Sequence, residues 1–89
     1  MKPITFSSTF QRQLRHLKHN DRQLFSKVKK QLKVFQINPR HPSLRLHKLH
    51  GSLKNVWSIS VDKNFRLVFI SDNQYYFFSM GTHKQVYGK

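Results

Sequence analysis

Apolar residues recur at helical spacing early in the chain, at Phe10, Leu14 and Leu17, while Arg12, Arg15 and Lys18 fall in other directions. That period predicts an amphipathic helix over residues 8–19 with a cationic outer face, capped by Ser7 or Ser8. Asn20-Asp21 interrupts the pattern. Asp21 is placed to cap a second helix running to about Gln36, with Leu24, Phe25, Val28, Leu32 and Phe35 as its apolar stripe. So brief a link predicts that the two helices pack as an antiparallel pair. The segment Asn38-Pro39-Arg40-His41-Pro42 ends the second one, because proline is excluded from a helix interior and biases its predecessor toward extended backbone.

Beyond this basic loop the period changes. Residues 44–50, 56–62, 65–71 and 75–80 are rich in aromatic and β-branched side chains separated by polar turns, the pattern of strands. Residues 2–6 make a further, opening strand, with Pro3 suited to a strand start or an edge. A turn at Asp62-Lys63-Asn64 pairs Val61 with Phe65, Ile59 with Leu67 and Trp57 with Phe69, giving one apolar face for the helices. Ser58, Ser60 and Arg66 then occupy the opposite face, because side chains alternate along a strand. A two-residue turn at Asp72-Asn73 sends Tyr76, Phe78 and Met80 to the core and sets Ser79 beside Arg66; a three-residue turn reverses that assignment. The expected architecture is α+β, in the order β-α-α-β-β-β-β, with two antiparallel helices on one face of a small, mostly antiparallel sheet.

Length limits this to one domain over residues 1–89, since 89 residues supply one small core. Charge changes the picture more. Seventeen Lys and Arg stand against Asp21, Asp62 and Asp72, with no glutamate, for a formal net charge of +14. Such a surface attracts polyanions. No apolar run approaches the roughly 18 residues that span a bilayer, and no secretory leader is visible, so a cytoplasmic location without membrane association is expected. The absence of cysteine removes disulfides, thiolate metal sites and cysteine nucleophiles together.

Any chemistry therefore rests on His, Arg, Lys, Tyr, Ser and three Asp. Arg66 interrupts an apolar strand, and its planar fork of donors suits a phosphate; a strand arginine covering sheet surface with its stem satisfies the same pattern. His83 follows the last strand after Gly81 and Thr82, and imidazole can move protons near neutral pH; an exposed tail histidine is the plainer alternative. Tyr87 can stack on a base, orient a phosphate or pin the C-terminal segment. His47 and His50 stand with Lys48 and Lys54 in a basic rim suited to RNA backbone, with His47 a second proton-transfer group, and Lys84 adds charge near His83. No metal is expected, because His47-x-x-His50 lacks a helical frame and a supporting carboxylate. The helix lysines Lys27, Lys29, Lys30 and Lys33 predict salt-sensitive polyanion attraction.

Taken together, Leu49-x-Gly51, Val56-Trp57-Ser58-Ile59, Phe65-Arg66-Leu67-Val68-Phe69 and Gly81-Thr82-His83-x-x-Val86-Tyr87 resemble the RelE/ParE superfamily of bacterial toxins, in particular its YafQ-like and YoeB-like messenger-RNA interferases. The resemblance covers essentially the whole chain. It implies a cofactor-free, metal-independent endoribonuclease that cuts messenger RNA, commonly in the ribosomal A site, and is held inactive by a cognate antitoxin, here one with acidic surface. By position it makes Arg66 the arginine on the scissile phosphate, His83 a general acid or base, Tyr87 the terminal aromatic and His47 a catalytic-loop residue. Three positions depart from the family pattern: Ser60 and Asn64 replace a histidine and an aspartate, and Ser79 stands where several members carry a second arginine. Lys54 or Lys84 are the candidates to supply that charge. The alternative reading is a ParE-like toxin that binds and inhibits DNA gyrase without cleaving nucleic acid; a noncatalytic RNA-binding module requires Arg66 and His83 to lie far apart.

Overall fold

The computed structural model describes residues 2–49 and 55–87. Their elements are β1 (Ile4–Phe6), α1 (Ser8–Asn20), α2 (Arg22–Ile37), a 3₁₀ turn at Pro42–Leu44, β2 (His47–Lys48), β3 (Val56–Ser60), β4 (Phe65–Ser71), β5 (Tyr75–Thr82) and α3 (His83–Tyr87). The strands form one sheet in the order β1-β5-β4-β3-β2, antiparallel except where β1 runs parallel to β5.

Local chemistry sets the helix limits. The Ser7 hydroxyl accepts the N–H of Phe10 to open α1. Asp21 alone joins the helices: its backbone N–H closes α1 on the Leu17 carbonyl while its carboxylate accepts the Leu24 N–H to start α2.

The core lies between the helix pair and one sheet face. Phe10, Val28 and Phe35 meet Ile59, Leu67, Phe69 and Phe77, all essentially buried. Phe35 sits at the centre, edge-on to Phe69, Tyr75 and Phe77 at ring-centroid distances of 5.1, 4.9 and 5.3 Å. Phe35→Ala is expected to destabilise the fold by about 3–5 kcal/mol, through lost burial plus the cavity left among three rings. Urea unfolding measures it as a lowered midpoint at an unchanged slope.

Four expectations are corrected. Phe25 is not in the core cluster; it borders a surface groove with Lys29 over its ring, and Gln31 is buried on α2 instead. The strand expected over 44–50 shrinks to His47–Lys48: Pro42 opens a 3₁₀ turn, Leu44 is drawn into the core, and Arg45 takes left-handed backbone with φ 46° and ψ 53°. The β4–β5 turn spans three residues, since Ser71 pairs with Tyr75, so Tyr75 and Phe77 face the core rather than Tyr76 and Phe78. A bulge at Phe78 then inserts one residue and reverses the alternation again. Met80 therefore does reach the core, while Ser79 pairs with Val68, and Gly81, not Ser79, lies beside Arg66. The β3–β4 register is as expected, with Trp57 opposite Phe69 and Ile59 opposite Leu67.

Candidate active site

Arg66 projects from β4 on the sheet face away from the helices, next to Ser58 of β3. Its Nε–H donates to the Ser58 hydroxyl at 3.0 Å and an Nη2–H to the Arg45 carbonyl at 2.7 Å. One edge of the guanidinium is thus held by the protein, which leaves three of its five N–H groups for a ligand. Ser58 is fully buried, and its hydroxyl also pairs with the Tyr87 hydroxyl at 2.7 Å. The Tyr87 ring lies 5.9 Å from the guanidinium carbon of Arg66. Two imidazoles contact that same ring, His83 at 4.3 Å and His47 at 5.7 Å between centroids. Arg45, Leu46, His47, Arg66, His83 and Tyr87 enclose an open hollow of about 470 Å³.

Each side chain arrives for a local reason. His47 pairs with Ser58 across β2–β3 and shares its face, whereas Lys48 pairs with Trp57 and turns its ammonium over that indole on the other side. α3 begins with a reciprocal cap: the Thr82 hydroxyl accepts the Gln85 N–H at 3.2 Å, and the Gln85 side-chain carbonyl accepts the Thr82 N–H at 2.8 Å. Gly81 makes room for this cap, since a Cβ there would stand 2.8 Å from Gln85 Oε1. The His83 N–H donates to the Asn64 carbonyl at 2.6 Å, tying α3 to the β3–β4 turn. One helical turn then separates His83 from Tyr87, which puts both on one side of the helix.

The electrostatics favour an anion. Burial draws the Arg66 pKa below its ordinary value; the Tyr87 phenol opposes that shift and the Arg45 cation adds to it. Arg66 still carries its charge at neutral pH, because arginine does not lose its proton in proteins. Two guanidinium groups that repel each other across one hollow are both relieved by a phosphate between them.

All four expected catalytic residues, Arg66, His83, His47 and Tyr87, therefore meet in one place. The expected RNA-binding residues divide: Lys48 lies on the Trp57 side, Lys84 is exposed on α3 and does not line the hollow, and His50 and Lys54 fall outside the described residues. The residue missing from the expectation is Arg45. Within a strand it would have been one basic residue among many; the left-handed kink after Pro42–Leu44 is what brings it to the hollow beside Arg66. Among the described residues no cluster of three or more His or Asp side chains is placed to hold a metal ion, and no helix is long and apolar enough to cross a membrane.

Solved structures with this fold exist. YoeB from Staphylococcus aureus, solved as a dimer, matches with a TM-score of 0.76 at 24% identity over 92% of this chain and 97% of its own. YafQ from E. coli strain BL21(DE3) matches at 0.75 and 22% over 99% and 100%. YafQ in the E. coli DinJ-YafQ toxin-antitoxin complex matches at 0.71 and 25% over 98% of each chain. No protein-family model matches the sequence. No curated protein matches it significantly either. The fold is that of the RelE/ParE-like toxins. Within that class it is of the YafQ/YoeB type.

Proposed function

We propose that this protein is the toxin of a type II toxin–antitoxin pair and an endoribonuclease that cuts messenger RNA on the ribosome. The observation that carries this reading is the convergence of Arg66, His47, His83 and Tyr87 on one hollow. A gyrase-binding surface has no need of two imidazoles gathered in one hollow with a half-buried, hydrogen-bonded arginine.

In the proposed reaction one histidine removes the proton of a ribose 2′-hydroxyl, and the 2′-oxygen attacks the adjacent phosphorus. The phosphorus–O5′ bond breaks, the other histidine protonates the departing 5′-oxygen, and the products are a 2′,3′-cyclic phosphate and a 5′-hydroxyl end. The free N–H groups of Arg66, with Arg45 beside them, stabilise the charge that builds on the phosphoryl oxygens. Tyr87, anchored through Ser58, positions the nucleotide. Base, acid and charge stabilisation all come from side chains, so no metal enters the scheme. The partner that silences the toxin is an antitoxin presenting acidic surface to this +14 chain.

The test is messenger RNA cleavage on purified ribosomes, with fragment ends mapped, beside a gyrase supercoiling assay. Cuts leaving 5′-hydroxyl ends, with supercoiling unaffected, are expected. Intact messenger RNA together with blocked supercoiling overturns the nuclease reading in favour of the gyrase one.

A further inference from the structure

Arg45 and Arg66 line two adjoining hollows at once. One is the catalytic hollow; the other, of about 960 Å³, runs between α2 and the β3–β4 turn. The cations along this second hollow are Lys27, Lys30 and Lys63, with His41 at its 3₁₀-turn wall. Its one carboxylate, Asp62, is engaged within the protein: Oδ1 accepts the N–H groups of Asn64 and Phe65, each at 2.9 Å, and Oδ2 faces Lys27 Nζ at 3.7 Å, which leaves Lys30 and Lys63 as the lysines not facing a carboxylate there among the described residues.

The groove is also held open in a fixed shape. The buried Gln31 amide donates to the Ser43 carbonyl at 3.2 Å and to the Ser60 carbonyl at 2.9 Å. Those two bonds tie α2 to the 3₁₀ turn on one side and to β3 on the other, so both walls keep their spacing without a ligand. By contrast, the hollow between β1 and α2, lined by Ile4, Phe6, Phe25, Leu32 and Ile37 among others, is mainly apolar and shares no residue with the catalytic one.

We infer that this basic groove carries the sugar–phosphate backbone of the substrate RNA strand next to the cut, so that the strand passes Arg45 on its way into the catalytic hollow. The inference rests on the ribonuclease reading and extends it. A strand with one phosphate at Arg66 must lead its neighbouring phosphates away from the site. Here the two arginines line the same groove as Lys27, Lys30 and Lys63. Contacts of this kind are sequence-independent and release counterions, so they add affinity with a measurable salt dependence.

The test uses fully 2′-O-methylated RNA, which cannot be cut, as labelled oligonucleotides of three and twelve nucleotides in fluorescence anisotropy. Lys30→Gln with Lys63→Gln is expected to weaken the 12-mer about 10-fold and to reduce its salt slope by about 1.4, at roughly 0.7 per single-strand phosphate contact. Binding of the trinucleotide should stay within about 2-fold of wild type, because it is too short to leave the hollow. The matched control, Arg15→Gln with Lys18→Gln, removes the same charge from the exposed face of α1 and should leave the 12-mer within about 2-fold. Equal losses in the control pair, equal losses for both oligonucleotides, or no loss at all overturn the groove assignment. Cleavage on ribosomes is scored separately. Length-dependent binding through Lys30 and Lys63 by a protein that leaves messenger RNA intact upholds the groove and overturns the nuclease.

Discussion

Arg66→Ala is expected to lower the rate of ribosome-bound messenger RNA cleavage by about 10²–10³-fold, the scale on which removal of one preorganised transition-state donor acts. The size of the effect follows from how the guanidinium is held. Ser58 and the Arg45 carbonyl fix one edge of it, at 3.0 and 2.7 Å, before any substrate arrives. Its remaining donors therefore need no reorganisation when charge develops on the phosphate. Arg66→Lys should recover little, because an ammonium on a flexible stem cannot engage both acceptors and still present a planar pair of donors. Stability should change far less than rate. Ser58 keeps its bond to Tyr87 in the alanine variant, and the half-buried arginine contributes about 1 kcal/mol through its hydrogen bonds. Single-turnover cleavage and thermal melting on the same samples separate the two effects. A variant that melts normally and cuts at the wild-type rate removes Arg66 from the mechanism.

What the sequence discloses follows the range of the interactions involved. The helix limits depend on Ser7 and Asp21 bonding a few residues away, and the β3–β4 register depends on an alternation that leaves one buried solution for Ile59, Leu67 and Phe69. These are local or strongly patterned, and they are legible. The β4–β5 hairpin is not, because two single-residue events act in opposition: a three-residue turn exchanges the faces and the bulge at Phe78 exchanges them back. Either outcome buries aromatic residues in a run as apolar as Tyr75 to Met80, so composition cannot choose. α3 is legible, since Thr82 followed three residues later by Gln85 is the spacing of a capping box. Arg45 is not, because its place beside Arg66 depends on a left-handed residue after a 3₁₀ turn that Pro42 opens and that carries Leu44 into the core. The candidate site was thus foreseeable in its named residues, while its second cation emerges only from tertiary packing.

The two histidines can be told apart by their pH profiles. Both side chains are exposed, so His47→Gln and His83→Gln should fold normally while each slows cleavage about 10²–10⁴-fold, the usual worth of one proton-transfer group. Glutamine preserves a hydrogen-bonding side chain but cannot exchange a proton near neutrality, so what is lost is proton transfer and not contact. A general base must be unprotonated and produces the rising acidic limb of the rate profile; a general acid must be protonated and produces the falling alkaline limb. The wild type should therefore show a bell, and each variant should lose one limb. Whichever substitution abolishes the acidic limb identifies the base, and the other histidine is then the acid. Tyr87 lies against both rings, so Tyr87→Phe is the necessary companion: it keeps the ring contacts but removes the bond to Ser58. If the phenol only positions the nucleotide, the phenylalanine variant keeps both limbs at a reduced rate. If it transfers a proton itself, one limb disappears with it, and the histidine whose loss leaves the bell intact is released from catalysis.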